Sequence, residues 1–170
     1  MEEGEIINKV ASSGLITLDF EELFPEGPRM SFDIAQSLSG GIILKEKEFR
    51  EYIKNVTWTD YHNAYVSVYC SADAIIPHWA LMIVAAALTP HCRAAFYVEP
   101  SRLEDFIFQD LVSKLNLESY KDQRVVVKGC SKKQVPASAY LAITARLSPL
   151  VKSLMFGEPC STMPVYKKKA

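Results

Sequence analysis

A chain of 170 residues with 49% hydrophobic and 11% aromatic residues, 7 Gly and a formal net charge of -1 can bury a core without help. That excludes a disordered, collagen-like or low-complexity protein. The balance of 19 Lys+Arg against 20 Asp+Glu offers no basic excess for nucleic-acid backbones, and 4 Cys are too few for a disulfide framework.

The chain opens Met-Glu-Glu-Gly-Glu, acidic where a secretory signal carries a basic region followed by an apolar run. Leu15–Leu18 and Ile42–Leu44 read as short strands, separated by the turn-forming Pro25-Glu-Gly-Pro28 and Gly40-Gly41. Lys45 to Val56 reads as a helix with Phe49, Tyr52, Ile53 and Val56 on one face. From Tyr65 the text becomes regular. Val66–Tyr69 is a strand, and an apolar helix then runs to about Leu88. The segment around Trp79–Val84 is hydrophobic nearly all round, so it is expected to be fully buried, either within the fold or in a homo-oligomer interface. The apolar run is too short, and too interrupted by Pro77 and His78, to span a bilayer. No membrane partner is therefore expected, and the chain reads as cytoplasmic, where thiols stay reduced.

Ala94–Val98 is the next strand. Ser101-Arg-Leu-Glu104 matches a capping box opening a helix whose stripe is Leu103, Phe106, Ile107, Leu111 and Leu115. Arg124–Lys128 is a further strand, and a last helix runs from Pro136 toward Phe156. Strands alternating with helices imply right-handed crossovers. The expectation is a single α/β domain, a three-layer sandwich with a mostly parallel central sheet. Its parts are a mixed N-terminal segment over 1–65, a regular part over 66–156 and a C-terminal loop and tail over 157–170.

The regular part carries an internal echo. Cys70-Ser71 and Cys130-Ser131 each follow a strand, and Pro77 and Pro136 stand where proline suits a helix start. Counted from those prolines, Ala80 matches Ala139, Ala86 matches Ala145, Leu88 matches Leu147 and Thr89-Pro90 matches Ser148-Pro149. The loops between cysteine and proline differ by one residue. Two origins fit: a duplication, or a grammar common to all strand–loop–helix units.

Ligands of open α/β sheets bind beyond the carboxyl ends of the strands, near helix N-termini, and a thiol there is activated. Cys70 and Cys130 occupy such positions, and Cys160 follows in a turn-rich segment. Three thiolates completed by His78 or Asp73 suit Zn²⁺ or another transition metal, although the CxxC pair of a strong metal motif is absent from the sequence. Alternatively, Ser71, Asp73 and Ser131 line a site for a small anion, with Cys70 as a nucleophile. The plain alternatives are that the cysteines simply pack at strand ends, Cys92 above all, and that Asp73 caps a helix. A third possibility is a non-catalytic oligomeric or partner-binding domain built on the apolar helix. Ser37–Gly41 lacks the lysine and spacing of a phosphate loop.

Val68–Pro77, Arg124–Cys130, Met155–Tyr166 and the stretch from Phe32-Asp-Ile34 to Phe49–Ile53 resemble an uncharacterised, Bacteroidetes-type bacterial family, domain of unknown function 2480. The resemblance implies a bacterial, intracellular protein. It implies no reaction and carries no functional residues.

Overall fold

The computed structural model describes residues 14–129, 132–158 and 160–169. They divide into two compact units, one made of 1–25 and 108–170 and the other of 26–107. Seven strands and four α-helices are assigned among them. The strands are β1 (Leu15–Leu18), β2 (Arg29–Asp33), β3 (Tyr65–Tyr69), β4 (Ala94–Tyr97), β5 (Arg124–Val127), β6 (Ser153–Glu158) and β7 (Ser161–Lys167). The helices are α1 (Glu46–Asn55), α2 (His78–Leu88), α3 (Leu103–Lys114) and α4 (Ala137–Leu147). The α/β expectation holds. Where the sequence suggests one central sheet, the strands form two: a parallel sheet β2-β3-β4 in one unit, and β1-β5-β6-β7 in the other, parallel except for β7.

One face of each sheet carries a hydrophobic core shared with two helices. In the 26–107 unit, Phe32, Val66 and Val68 share a core with Phe49 and Ile53 of α1 and Ala80, Val84 and Leu88 of α2. In the other, Leu18, Val125, Val127 and Leu154 share one with Phe108 and Val112 of α3 and Ala139, Ile143 and Leu147 of α4. The i, i+4, i+8 spacing of the buried positions in α2 and α4 is what one narrow stripe on a helix gives.

The echo in the sequence is therefore a structural repeat, and it is longer than the sequence alone reveals. Pro77 and Pro136 each immediately precede their helix with nearly the same backbone, φ -63, ψ 144 and φ -69, ψ 148, and each offers its carbonyl to the alanine three residues on, Ala80 and Ala139. Both helices end alike. The N–H groups of His91 and Cys92 bond to the Leu88 carbonyl, and those of Leu150 and Val151 bond to the Leu147 carbonyl. The chain enters β3 through Asn63 (φ 56) and β5 through Asp122 (φ 57), left-handed positions that Asn and Asp tolerate better than other side chains. Asn63 N–H reaches the His91 carbonyl at 3.0 Å, and Asp122 N–H reaches the Leu150 carbonyl at 2.9 Å. The registers also agree. Tyr65 faces Arg29 and Ala94, as Arg124 faces Leu15 and Ser153. With Tyr69 thereby matched to Lys128, a count along the chain sets Cys130 opposite Ser71, so the two Cys-Ser pairs are one position out of step.

Several local expectations are corrected. Ile42–Leu44 is not a strand: Gly40 and Gly41 take φ 61 and 77, only Ser39 and Ile43 form an isolated bridge, and Ile42 stays 66% exposed. The unforeseen β2 lies just before it. Helix α4 stops at Leu147 because Pro149 cannot continue the ladder, and the segment read as helix and loop is the β6–β7 hairpin. The expected capping box does not form. Ser101 lies in a 3-10 turn, Pro100–Arg102, while Glu104 takes the Arg29 guanidinium at 2.6 and 3.2 Å. Helix α2 is not fully buried either, since Met82 is 70% exposed, although Trp79 does turn inward, with its ring 5.7 Å from Phe49.

Phe49 and Phe108 are fully buried at matching positions. Phe49→Ala and Phe108→Ala should each lower stability by about 3–5 kcal/mol in urea unfolding, the cost of a large ring's cavity. A loss below about 1 kcal/mol at either position would break the equivalence of the copies.

Candidate functional site

At the carboxyl end of β2 the chain turns into a 3-10 turn, Ile34–Ser37, and Asp33 caps it by accepting the Ala35 N–H at 2.9 Å. Asp33 also accepts the Ser71 N–H at 3.0 Å and the Ser71 hydroxyl at 2.6 Å, tying the end of β2 to the end of β3. Burial by itself raises the Asp33 pKa. The Ser71 hydroxyl, the Ser71 N–H and the Ala35 N–H outweigh it, so the carboxyl sits below its usual value and is ionised.

Beside Asp33 is a cavity of about 330 Å³ lined by Ser31, Gln36, Tyr52, Asn55 and Tyr61 over Phe32 and Val56. The Tyr52 hydroxyl donates to Gln36 Oε1 at 3.1 Å. The Asn55 amide donates to the Glu51 carbonyl at 2.8 Å, which leaves its Oδ1 as an acceptor. Burial, then the Asp33 charge, pushes the Tyr52 pKa up; burial, then Tyr52 and Asp60, does the same for Tyr61. Both phenols therefore remain protonated donors at neutral pH. The aromatic backing is continuous, with Phe32 5.3 Å from Trp58 and 6.3 Å from Tyr61.

The other copy supplies a contrast. Asp19, which matches Asp33, accepts the Glu21 N–H at 2.8 Å as Asp33 accepts Ala35, but its second partner is the Lys128 ammonium at 2.6 Å. The Asp19 hydrogen bond is the main cause that raises the Lys128 pKa, with the Asp19, Glu158 and Glu21 charges adding to it. Counterparts of the cavity residues Gln36, Tyr52, Asn55 and Tyr61 are Glu22, Leu111, Lys114 and Tyr120, and there Leu111 and Tyr120 pack against the apolar core. The matching positions keep a phenol at Tyr120, exchange the Tyr52 phenol for Leu111 and replace the two amides by the charged Glu22 and Lys114.

The residues singled out from the sequence do not assemble as a set. Cys70 is half-buried, its thiol 3.4 Å from the Ala72 carbonyl, on the wall of a small recess of about 170 Å³ with Tyr69, Tyr97, Val98 and Glu99. Asp73 and His78 are exposed. Asp73 does not cap α2, whose preceding residue is Pro77 with no side-chain cap. Cys92 packs against the 26–107 core, and burial pushes its thiol pKa up, as a structural cysteine requires. Cys130 and Ser131 lie outside the described residues. Cys160 is exposed in the β6–β7 turn. Since β6 runs parallel to β5, that turn is at the carboxyl end of its sheet, together with Asp19, Lys128 and Glu158, whose Oε1 is buried without a hydrogen-bond partner. Among the described residues no cluster of three or more His, Cys, Asp or Glu could hold a metal ion, and no helix is long and apolar enough to cross a membrane.

The family model described as "Protein of unknown function (DUF2480)" matches residues 4–168. The chain belongs to that family. No curated protein and no solved structure matches it. The family description supplies no chemistry, so within this DUF2480 protein the cavity has to be read from its own side chains. Sequence reasoning missed Asp33, Gln36, Tyr52, Asn55 and Tyr61. The available signal was the alternation Arg-Met-Ser-Phe-Asp, which, taken as a strand, sets Asp33 at a carboxyl end.

A carboxylate whose folded pKa is depressed contributes stability above its ordinary value of 3.8 and loses it as pH falls through the lower folded value. Ser71→Ala should therefore cost about 1 kcal/mol at neutral pH, the scale of one hydrogen bond to a partly exposed charge. The gap to wild type should shrink as unfolding is measured at successively lower pH below 3.8. An unchanged gap would mean that Ser71 acts on something other than the charged carboxylate.

Proposed function

We propose that the protein binds a small, uncharged or cationic polar molecule at the carboxyl end of β2. The observation carrying this reading is the cavity of about 330 Å³ in which Asp33, Gln36, Tyr52, Asn55 and Tyr61 converge, at the end of an open parallel sheet where such folds hold ligands. The ionised Asp33 sets the sign: it repels anions and attracts an ammonium, a guanidinium or the N–H edge of a neutral heterocycle. The Gln36 and Asn55 amides add directional partners, and the Tyr61 ring adds a π face for a cation or a flat ring. Ser71 supports the site by holding Asp33 and leaves its own donors occupied, which favours this reading over the capture of a small anion.

Thermal shift with primary amines, guanidines and nucleobases, set against carboxylates and phosphates, tests it. A ligand at about 100 times its Kd stabilises by about 2.7 kcal/mol, which raises Tm by about 5–10 °C in a chain of this size. The shift should disappear in a Tyr61→Phe, Gln36→Ala double variant. Stabilisation by phosphates alone, or a shift that survives the double variant, would overturn the proposal.

A further inference from the structure

Where β5 and β6 begin and β7 finishes, the sheet gathers positive charges that are far apart in the sequence. Arg124 opens β5, Lys152 precedes β6, and Lys167 ends β7, with Lys168 and Lys169 following it. The register brings them together: Arg124 pairs with Ser153, and Ser153 pairs with Lys167. Paired residues of neighbouring strands share a face of the sheet, so these three form a row about 10 Å across, two strand spacings. The next pair on that face is Met155 with Pro164. With Lys152, Lys168 and Lys169 these residues border a groove of about 730 Å³. Its backbone is held by the sheet: the Lys152 N–H bonds to the Gln123 carbonyl at 2.8 Å, and the Lys168 N–H bonds to the Lys152 carbonyl at 3.0 Å. All five cationic side chains are exposed. Lys168 lies 3.4 Å from Asp122, whereas Lys152, Lys167 and Lys169 form no salt bridge with another described residue. No acid is among the described residues that line the groove.

We propose that this groove binds a compact polyanion, a triphosphate group, either free or carried by a nucleotide. Lysine ammoniums on flexible stems act as point charges for phosphate oxygens, and a triphosphate brings up to about four negative charges at neutral pH. The charge of the rest of the chain sets the size of the ligand. Five of the 19 Lys+Arg line the groove, and the other 14 are outnumbered by 20 Asp+Glu. A nucleic-acid strand or an anionic bilayer would reach past the groove onto that acidic remainder, where repulsion acts over a Debye length of about 8 Å. A ligand held within the groove avoids this, and about 730 Å³ is the volume of a small-molecule site. Met155 and Pro164 offer apolar surface to a nucleoside. No carboxylate, imidazole or thiol is among the described lining residues, so no general base stands ready near neutral pH and the bound triphosphate stays intact. The groove is independent of the Asp33 cavity, which belongs to the 26–107 unit and selects the opposite charge.

Equilibrium dialysis of the full chain at low salt, with sodium triphosphate and with ATP free of divalent cations, tests this. Each should bind one to one. Lys152→Glu and Lys167→Glu should each weaken both ligands by about tenfold or more, the effect of reversing one charge a few ångströms from several others. Lys47→Glu makes the same charge change on α1, away from the groove, and should leave the dissociation constant within about twofold of wild type. Equal affinities would support recognition of the triphosphate itself, and tighter binding of ATP would support the nucleotide as its source. Circular dichroism checks that the three surface variants keep their fold. No binding up to about 1 mM ligand would overturn the proposal, as would a loss that Lys47→Glu reproduces. An oligonucleotide or an anionic vesicle that binds more tightly and displaces triphosphate would overturn it too, because the ligand would then be a macromolecular surface.

Discussion

Neighbouring parallel strands cannot be joined by a tight turn, because the chain must return to the starting end of the sheet before the next strand begins. Everything in this protein follows from how it solves that return. A proline with extended ψ ends the loop after the strand, an 11-residue helix brings the chain back, and two successive N–H groups on its last carbonyl stop the helix. A left-handed Asn63 or Asp122 on the adjacent strand then receives the returning chain by donating to His91 or Leu150. Because both copies use the same device, every strand of the parallel series points its carboxyl end the same way within its sheet. Loops free to carry chemistry are thereby confined to one end of each unit.

At that end the copies diverge. Each has an aspartate at the end of its first strand, and each aspartate accepts the N–H two residues on, so both copies make the same turn. What differs is how the remaining valence of the carboxylate is met. Lys128 neutralises Asp19, and Leu111 and Tyr120 pack against the core beneath. Asp33 is bonded by the uncharged Ser71, so its negative charge remains, and amide and phenol groups surround the space next to it. Within one chain the copy with Asp19 thus ends in an ion pair, and the copy with Asp33 sets an ionised, hydrogen-bonded carboxylate beside two amides and two phenols.

How much of this is legible in the sequence depends on the length scale of each signal. Strands β1, β3 and β5 announce themselves through β-branched residues and β4 through its aromatics, and α1, α2 and the start of α4 through periodicity and proline. Strand β2 does not: Arg29 and Asp33 bracket only three other residues, so its alternation is too short to stand out until the neighbouring β3 is known. The β6–β7 hairpin was hidden for a different reason. Ser153–Phe156 continues the apolar period of α4, and only the tertiary demand for a strand beside β5 decides between helix and strand there. The capping box shows the same override, since Glu104 gains more from a bidentate Arg29 across the sheet than from a backbone N–H in its own turn. The cavity was illegible because its side chains come from β2, the turn after it, α1 and the 3-10 turn Trp58–Tyr61, which no spacing rule links. The cysteines, prominent as letters, sit in separate local settings.

The hairpin also explains why the two sheets have different needs at their edges. Sheet growth leaves a row of unsatisfied peptide groups at the last strand, and a chain has three ways to treat them: expose them to water with charges nearby, cover them with its own next segment, or cover them with another molecule. After β6 the chain turns back as β7 and takes the second course. After β4 it cannot, because Pro100 ends the extended run and the 3-10 turn leads directly into α3, which carries the chain toward β5. The repeat thus commits its first copy to an open edge as the consequence of being followed by its second. The residues of that strand are alanine, phenylalanine and tyrosine, with no lysine among them.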